Sequence, residues 1–527
     1  MRSRLSAVAA KRAAVQQGKE RQLSISQAWS PRERRWRSLW CVSAGVLAAV
    51  PAFVAYAVFV LNHFYRYGAV LLDTGLLADL AWHKPATLPT DPLLDGSSFY
   101  AYHIAPIFTL LSAASRVAAL SMAQWFALFS GMAHALLAVA VFWLLTEEYG
   151  LRVGGRLAAA VIFAVAFSFN GLAIAQVRYP HFEILLAGGV ILFLVALWRR
   201  RFLLATAFFV VALLCREDAG FHIFAVLAVL VVMRWLGKVP LSVQRPALVF
   251  LTLGFVYSVS ALWLGRTLFP EQSSFARVYL GAPPFAHINV HLLELRCAML
   301  LGGRSYLFLP FACAVAWAIT ARDPYLLIGY IAFIPWTILN FFATSDVAGM
   351  LSSYYGFPYL IAAFWPLIGW RIKGVRTDRP SWEPLLGFGI MVLASFAGLS
   401  AQHNPSGVPL WPGFTHPPAL AEQDQVERAM AAVHADHALL RPLMARESVV
   451  SLGPSEFQRD EILWGGLQGK RGSLLYFVGE HGGAGAAGRY SGLHHVYAVS
   501  GTPMRLVTDV RPVDLPNLGP LLRPSTR

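Results

Sequence analysis

Charge is scarce in this chain. Only 13% of its 527 residues are charged, against 57% that are hydrophobic, whereas soluble globular domains carry about 25% charge. That shortage excludes an ordinary soluble domain as the main body. Cysteine is scarce too: Cys41, Cys215, Cys297 and Cys313 lie in or beside apolar runs without metal-ligand spacing, which argues against a disulfide framework or a cysteine zinc site. No H-E-x-x-H, P-loop or G-x-S-x-G stretch stands in a context that would support the chemistry of those motifs. Acids are outnumbered, 28 against 43 Lys and Arg. The basic residues sit in loops and not on one folded face, so the excess reads as a topology signal and no nucleic-acid partner is expected.

What the chain has instead is apolar length. Runs long enough for a bilayer recur over roughly the first 400 residues, and backbone in lipid must bond within its own segment, so these runs are helices. The expected fold is an all-α polytopic membrane protein with a small C-terminal α/β module. Spans are drawn at Leu39–Leu61, Gln124–Leu145, Leu157–Val177, Ile184–Trp198, Phe202–Leu214, Ala219–Trp235, Ala247–Leu264, Ser305–Thr320, Tyr325–Phe342, Tyr355–Trp370 and Leu385–Leu399. Several are shorter than the roughly 20 residues that cross a bilayer upright. The first run is too long for a signal-peptide core, so it is expected to be a retained anchor.

Charge orients these spans. Residues 1–38 hold ten Lys or Arg against two acids. The segment Ile104–Leu120 is apolar but interrupted by Pro106 and Arg116. If it does not cross, the loops on the N-terminal side carry 23 Lys and Arg and the opposite loops before residue 402 carry nine. If it crosses, the clusters at 199–201 and 371–376 move outside, against the positive-inside bias. It is therefore read as re-entrant or interfacial, giving about eleven spans. The chain then divides into a basic cytoplasmic N-terminus (1–38), a transmembrane domain (39–401) with a first outer loop at 62–123, and an extracytoplasmic module (402–527).

With that orientation the polar residues at span ends collect on the outer side. They include His63, Asp73, His103, the turn Arg178-Tyr179-Pro180-His181-Phe182-Glu183, Arg216-Glu217-Asp218, His287, His291, Arg304, Asp346 and Tyr354-Tyr355. Ionisable groups at membrane depth are costly and tend to mark a functional pathway. The first outer loop is the densest stretch: residues 72–106 hold Asp73, Asp79, Asp91, Asp95, His83, His103 and Lys84.

Several of these residues carry a resemblance. Asp73-Thr74-Gly75-Leu76, continuing to Ala81-Trp82, is similar to the F-D-L-G-I-F-D-Q-A-L-W block of a bacterial family of polytopic membrane proteins designated only as a domain of unknown function. His103-Ile104-Ala105-Pro106-Ile107 resembles its H-F-S-P-I, Tyr179-Pro180-His181-Phe182-Glu183 its D-F-H-P-E, and Cys215-Arg216-Glu217-Asp218 its C-K-E-D. Ser353-Tyr354-Tyr355 falls where the family has H-Y. Order and spacing agree over roughly residues 40–400. There are departures: Ala78 stands at the family's second acid, with Asp79 one place later, and Arg216 replaces Lys. That family resembles the GT-C glycosyltransferases, which place an acidic residue in the first outer loop and take sugars from polyprenyl-phosphate carriers.

The resemblance implies an integral-membrane glycosyltransferase of a bacterial inner membrane, with Asp73 as the candidate general base. Sugar transfer to a hydroxyl needs a carboxylate within reach of the acceptor O–H, with its pKa tuned by partial burial. A phosphate leaving group needs cations, and Lys84, Arg178, Arg216 and Arg304 are available, each with the alternative of snorkelling at the interface. Glu217 and Asp218 have three open roles: pairing with Arg216, holding Mg²⁺ or Mn²⁺ with Asp73, or capping the following helix. His103 and His181 are candidates to orient substrate or to ligate a metal, although Mg²⁺ and Mn²⁺ suit oxygen-rich sets and require no His; Glu183 is a candidate substrate contact, and Tyr354 and Tyr355 are candidates to face a sugar ring. A transporter or flippase, or a non-catalytic scaffold, is the rival expectation.

Overall fold

The structure, a computed structural model, describes residues 31–66, 98–101, 103–115, 120–152, 154–178, 180–236, 241–270, 279–281, 283–349, 351, 353–372, 382–399, 408–436, 450–451, 476–479, 495–502, 504–508 and 511–524. Asp73, Lys84 and the body of the first outer loop lie outside the described residues.

The apolar runs form helices in chain order: α1 (Pro31–Tyr65), α2 (Pro106–Ser115), α3 (Met122–Glu148), α4 (Gly155–Ser168), α5 (Gly171–Val177), α6 (Ile184–Trp198), α7 (Phe202–Cys215), α8 (Ala219–Trp235) and α9 (Leu241–Leu268). They continue with α10 (Val290–Gly303), α11 (Ser305–Thr320), α12 (Ile328–Ala332), α13 (Ile334–Phe341), α14 (Asp346–Gly349), α15 (Phe357–Ile372) and α16 (Glu383–Gly398). Among the described residues four helices are long and apolar enough to cross a membrane, or six if each of two bent pairs is one span. This is a helical membrane protein. On α1 the side chains of Val46, Leu47, Val50 and Val54 are exposed, and on α9 those of Val249, Leu253, Val256 and Trp263. Among the described residues these faces have no protein partner, and they suit lipid.

Both bends have local causes. The run 157–177 stops at Phe169, and Asn170 starts a new helix by accepting the Ala173 N–H at 3.0 Å, a side-chain cap for an orphan donor. α4 and α5 therefore meet at 45°. At Arg304 the chain turns by 81° between α10 and α11. α10 itself is a helix where the sequence reads as loop. Its Arg296 is fully buried and donates from Nη2 to the Ala343 and Ser345 carbonyls, at 3.3 and 3.2 Å. α2 has ten residues, about 15 Å of helix and half the hydrocarbon thickness.

The bundle has two polar ends, and α6 measures between them. It begins at Glu183 and ends at Arg199, and α7 returns from Arg201 to Arg216. At the Arg199 end, Arg199 pairs with Glu147 and Glu148, Arg152 with Glu147, and Arg371 donates to the Glu148 carbonyl at 2.6 Å. These are loops that the charge bias assigns to one side. At the other end lie the turns 180–183 and 216–218.

Close approach inside the bundle depends on glycine. A Cβ on Gly220 of α8 would overlap the Gly254 carbonyl of α9, the small-residue crossing usual between membrane helices.

Beyond residue 402, α17 (Leu410–Thr415) and α18 (Leu420–Ala435) dock on the C-terminal end of α1. Asn62 Nδ2 donates to the Gly413 and His416 carbonyls at 2.9 and 2.8 Å, and Arg66 pairs with Glu422 at 2.8 Å. A five-stranded sheet follows, in the order β1 (Val450–Ser451), β2 (Tyr476–Gly479), β4 (Met504–Thr508), β3 (His495–Val499), β5 (Leu522–Pro524). Buried Asp436 accepts from the Asn517 and Leu518 N–H groups, at 2.7 Å for Leu518, and so ties the chain end to α18. The expected strands at 448–452, 474–478 and 495–499 correspond to β1–β3; β4 and β5 are additional.

Candidate functional site

Three chain turns that are far apart in sequence meet at the Glu183 end. Arg216 follows α7 in extended backbone, which turns its side chain away from that helix and toward the N-terminus of α6. Its Nη1 donates to Glu183 Oε1 at 2.7 Å, and its Nε lies 3.0 Å from Asp218 Oδ1 and 3.9 Å from Glu217 Oε1. Glu217 reaches the other way. Its Oε1 is 3.0 Å from His103 Nδ1, and its Oε2 accepts the Ile104 N–H at 3.0 Å. Two further imidazoles border the group: His181 Nδ1 at 4.0 Å from Glu183 and His222 Nε2 at 3.7 Å from Asp218. Aromatic rings fix both. Phe182 stacks on His181 and Phe108, and His222 sits edge-on to Trp336 and Phe357.

One guanidinium therefore serves three carboxylates. Arg216 is only 5% exposed on its side chain and Glu183 is fully buried. Burial by itself would weaken the Arg216 cation, but the three carboxylates hold its pKa above the ordinary value. Burial pushes Glu183 up, and Arg216 only partly offsets that. Asp218 ends well below the usual carboxylate range because Arg216 and His222 outweigh its burial. For His103, burial lowers the pKa, yet the charge and hydrogen bond of Glu217 prevail and raise it above 6.5.

The sign of the His103 effect gives a test. A histidine with a raised folded pKa contributes stability in full below pH 6.5, and loses it as pH rises through the folded value. A third of the side chain is exposed, so solvent screening reduces the effect. Across that window the melting temperature of wild type minus that of His103→Gln is expected to shrink with rising pH. A difference that stays flat or grows removes the ion pair from the site.

The site residues expected from sequence separate into groups. His103, His181, Glu183, Arg216, Glu217 and Asp218 are brought together. Arg178, at the end of α5, and Arg304, at the α10–α11 bend, share Tyr306 as an electrostatic neighbour. Tyr306 is buried and its hydroxyl has no hydrogen-bond partner among the described residues. The Tyr355 carbonyl accepts from Trp336 Nε1 at 3.3 Å. The Tyr354 side chain, like Asp73, lies outside the described residues. Arg216, on sequence one of four candidate phosphate cations, is committed to carboxylates. His222 was not foreseen; its signal is the i+4 spacing from Asp218, which puts both on one helix face.

The described residues do not fit a divalent cation. No group of three or more His, Cys, Asp or Glu among them is arranged to hold one, and Arg216 occupies the point on which the carboxylates converge. The four cysteines are free. Compared with family models and with curated proteins, the chain matches none.

Proposed function

We propose that the chain is an integral-membrane glycosyltransferase that moves a sugar from a polyprenyl-phosphate-linked donor to an acceptor on the outer face of a bacterial inner membrane. The observation that supports it is the meeting of His103, Glu183, Arg216, Glu217 and Asp218 at one end of the bundle. In this reading the eleven-span topology holds, with the N-terminus cytoplasmic and residues 402–527 outside. Asp73 takes the acceptor hydroxyl proton as that oxygen attacks the sugar's anomeric carbon, and the bond from that carbon to the phosphate oxygen breaks. Arg178 and Arg304 receive the phosphate charge. Glu217 holds His103 and Ile104, the return end of the loop that carries Asp73, and Arg216 keeps the carboxylates in place.

A second reading has one observation in its favour. Two broken helices, bent by 45° and 81°, are a device of transporters, whose sites form at discontinuous helices. One experiment separates the two. Protein reconstituted in vesicles is given polyprenyl-phosphate-linked sugars and, separately, nucleotide sugars. Transfer from the lipid-linked donors alone is the expected result. Sugar crossing the vesicle membrane with none transferred replaces the enzyme reading with the transporter.

A further inference from the structure

Behind His181 the bundle encloses a small cavity lined by Ser130 and His134 of α3, Gln176 at the end of α5, Pro180 and His181. Its free centre is about the size of one water molecule. Gln176 is 5% exposed, and neither its amide oxygen nor its amide nitrogen has a hydrogen-bond partner among the described residues. An amide buried without partners is destabilising, by about 1–3 kcal/mol per unpaired group in general. The His134 ring does not relieve it: Nδ1 lies 2.8 Å from the Ser130 carbonyl and Nε2 3.3 Å from that of Ala173. His134 also stacks face to face on Tyr56 at 3.6 Å, so its ring is fixed.

No lining side chain is a carboxylate, a lysine or an arginine, which disfavours a phosphate or a metal ion as the occupant. Gln176 offers one acceptor and one donor, and a hydroxyl group satisfies both. His181 forms the wall toward Glu183 and thus toward the Arg216 cluster.

We infer that this cavity is a subsite for a single hydroxyl group of a sugar, and that Gln176 is its specificity-determining residue. The inference rests on the glycosyltransferase reading for the choice of sugar, and its test is binding rather than transfer. The full-length protein in detergent is titrated with glucose, galactose, mannose and N-acetylglucosamine, and with their monodeoxy analogues, while its melting temperature is followed. For one sugar, removal of one particular hydroxyl is expected to weaken binding roughly tenfold, while the other deoxy analogues bind like the parent. Gln176→Met is expected to bind the parent sugar as weakly as that analogue. Without sugar the variant should melt a few degrees higher than wild type, because the unpaired amide is gone.

Two results overturn the subsite. One is a sugar-free Gln176→Met that melts lower than wild type, which assigns the cavity to a structural water. The other is a wild type that binds no sugar or does not distinguish the deoxy analogues, a measurement that needs no variant to fold. Protein that discriminates through Gln176 but transfers nothing keeps the subsite and loses the enzyme.

Discussion

Replacing Arg216 with methionine is expected to abolish the folded, monodisperse protein in detergent. The guanidinium is almost fully buried and touches Glu183, Asp218 and Glu217 at 2.7, 3.0 and 3.9 Å. Methionine fills similar space, so little packing is lost. What remains is Glu183, fully buried, with no guanidinium against it. Removing one partner of a buried ion pair costs about 3–5 kcal/mol, a large share of a stability that is typically about 5–15 kcal/mol. Arg216→Lys should recover only part, because an ammonium lacks the fork that reaches Glu183 and Asp218 together. Arg216→Met combined with Glu183→Gln should recover more than either effect alone would suggest, since the two residues share one interaction. Size-exclusion profiles and melting curves of the four proteins check this. An Arg216→Met protein that melts like wild type would show that the cluster holds nothing together.

Much of the bundle was legible in the sequence, and its failures have physical reasons. Helices α6 and α8 have the bounds drawn at Ile184–Trp198 and Ala219–Trp235, since an uninterrupted apolar run satisfies its backbone within its own segment as a helix. The break inside Leu157–Val177 was not legible because the apolar composition continues through it. Only Asn170 marks the stop, and whether an asparagine caps a new helix or faces a neighbour depends on packing. Val290–Gly303 lies outside every drawn span, and His291, Glu294 and Arg296 interrupt its apolar character. The structure buries Arg296 against the 343–345 carbonyls, an interaction between residues 47 and 49 positions apart.

The candidate site shows the same division. That polar tips gather at one end follows from counting charges along the chain. Which tip pairs with which does not, since Arg216 chooses Glu183 from 33 residues away. His222 escaped notice inside an apolar helix, where a lone imidazole reads as core. Gln176 was hidden for the same reason. In the C-terminal module β5 escaped because it has three residues, and β4 because Arg505 interrupts its apolar run, so that its place rests on pairing with β2 and β3.

In the proposed glycosyltransferase a carboxylate of the first outer loop works together with the cluster around Arg216. It is tested most directly by transfer from a polyprenyl-phosphate-linked sugar, measured for wild type, Asp73→Asn and Glu217→Gln after each is shown to elute and melt as a folded protein. Loss of a positioned general base typically removes about 10²–10⁴ in rate, so Asp73→Asn should fall in that range. Glu217 acts through His103 and Ile104, at 3.0 Å each, so Glu217→Gln should lose less, and its loss should depend on pH through His103. Folded Asp73→Asn that transfers sugar at the wild-type rate would contradict the account.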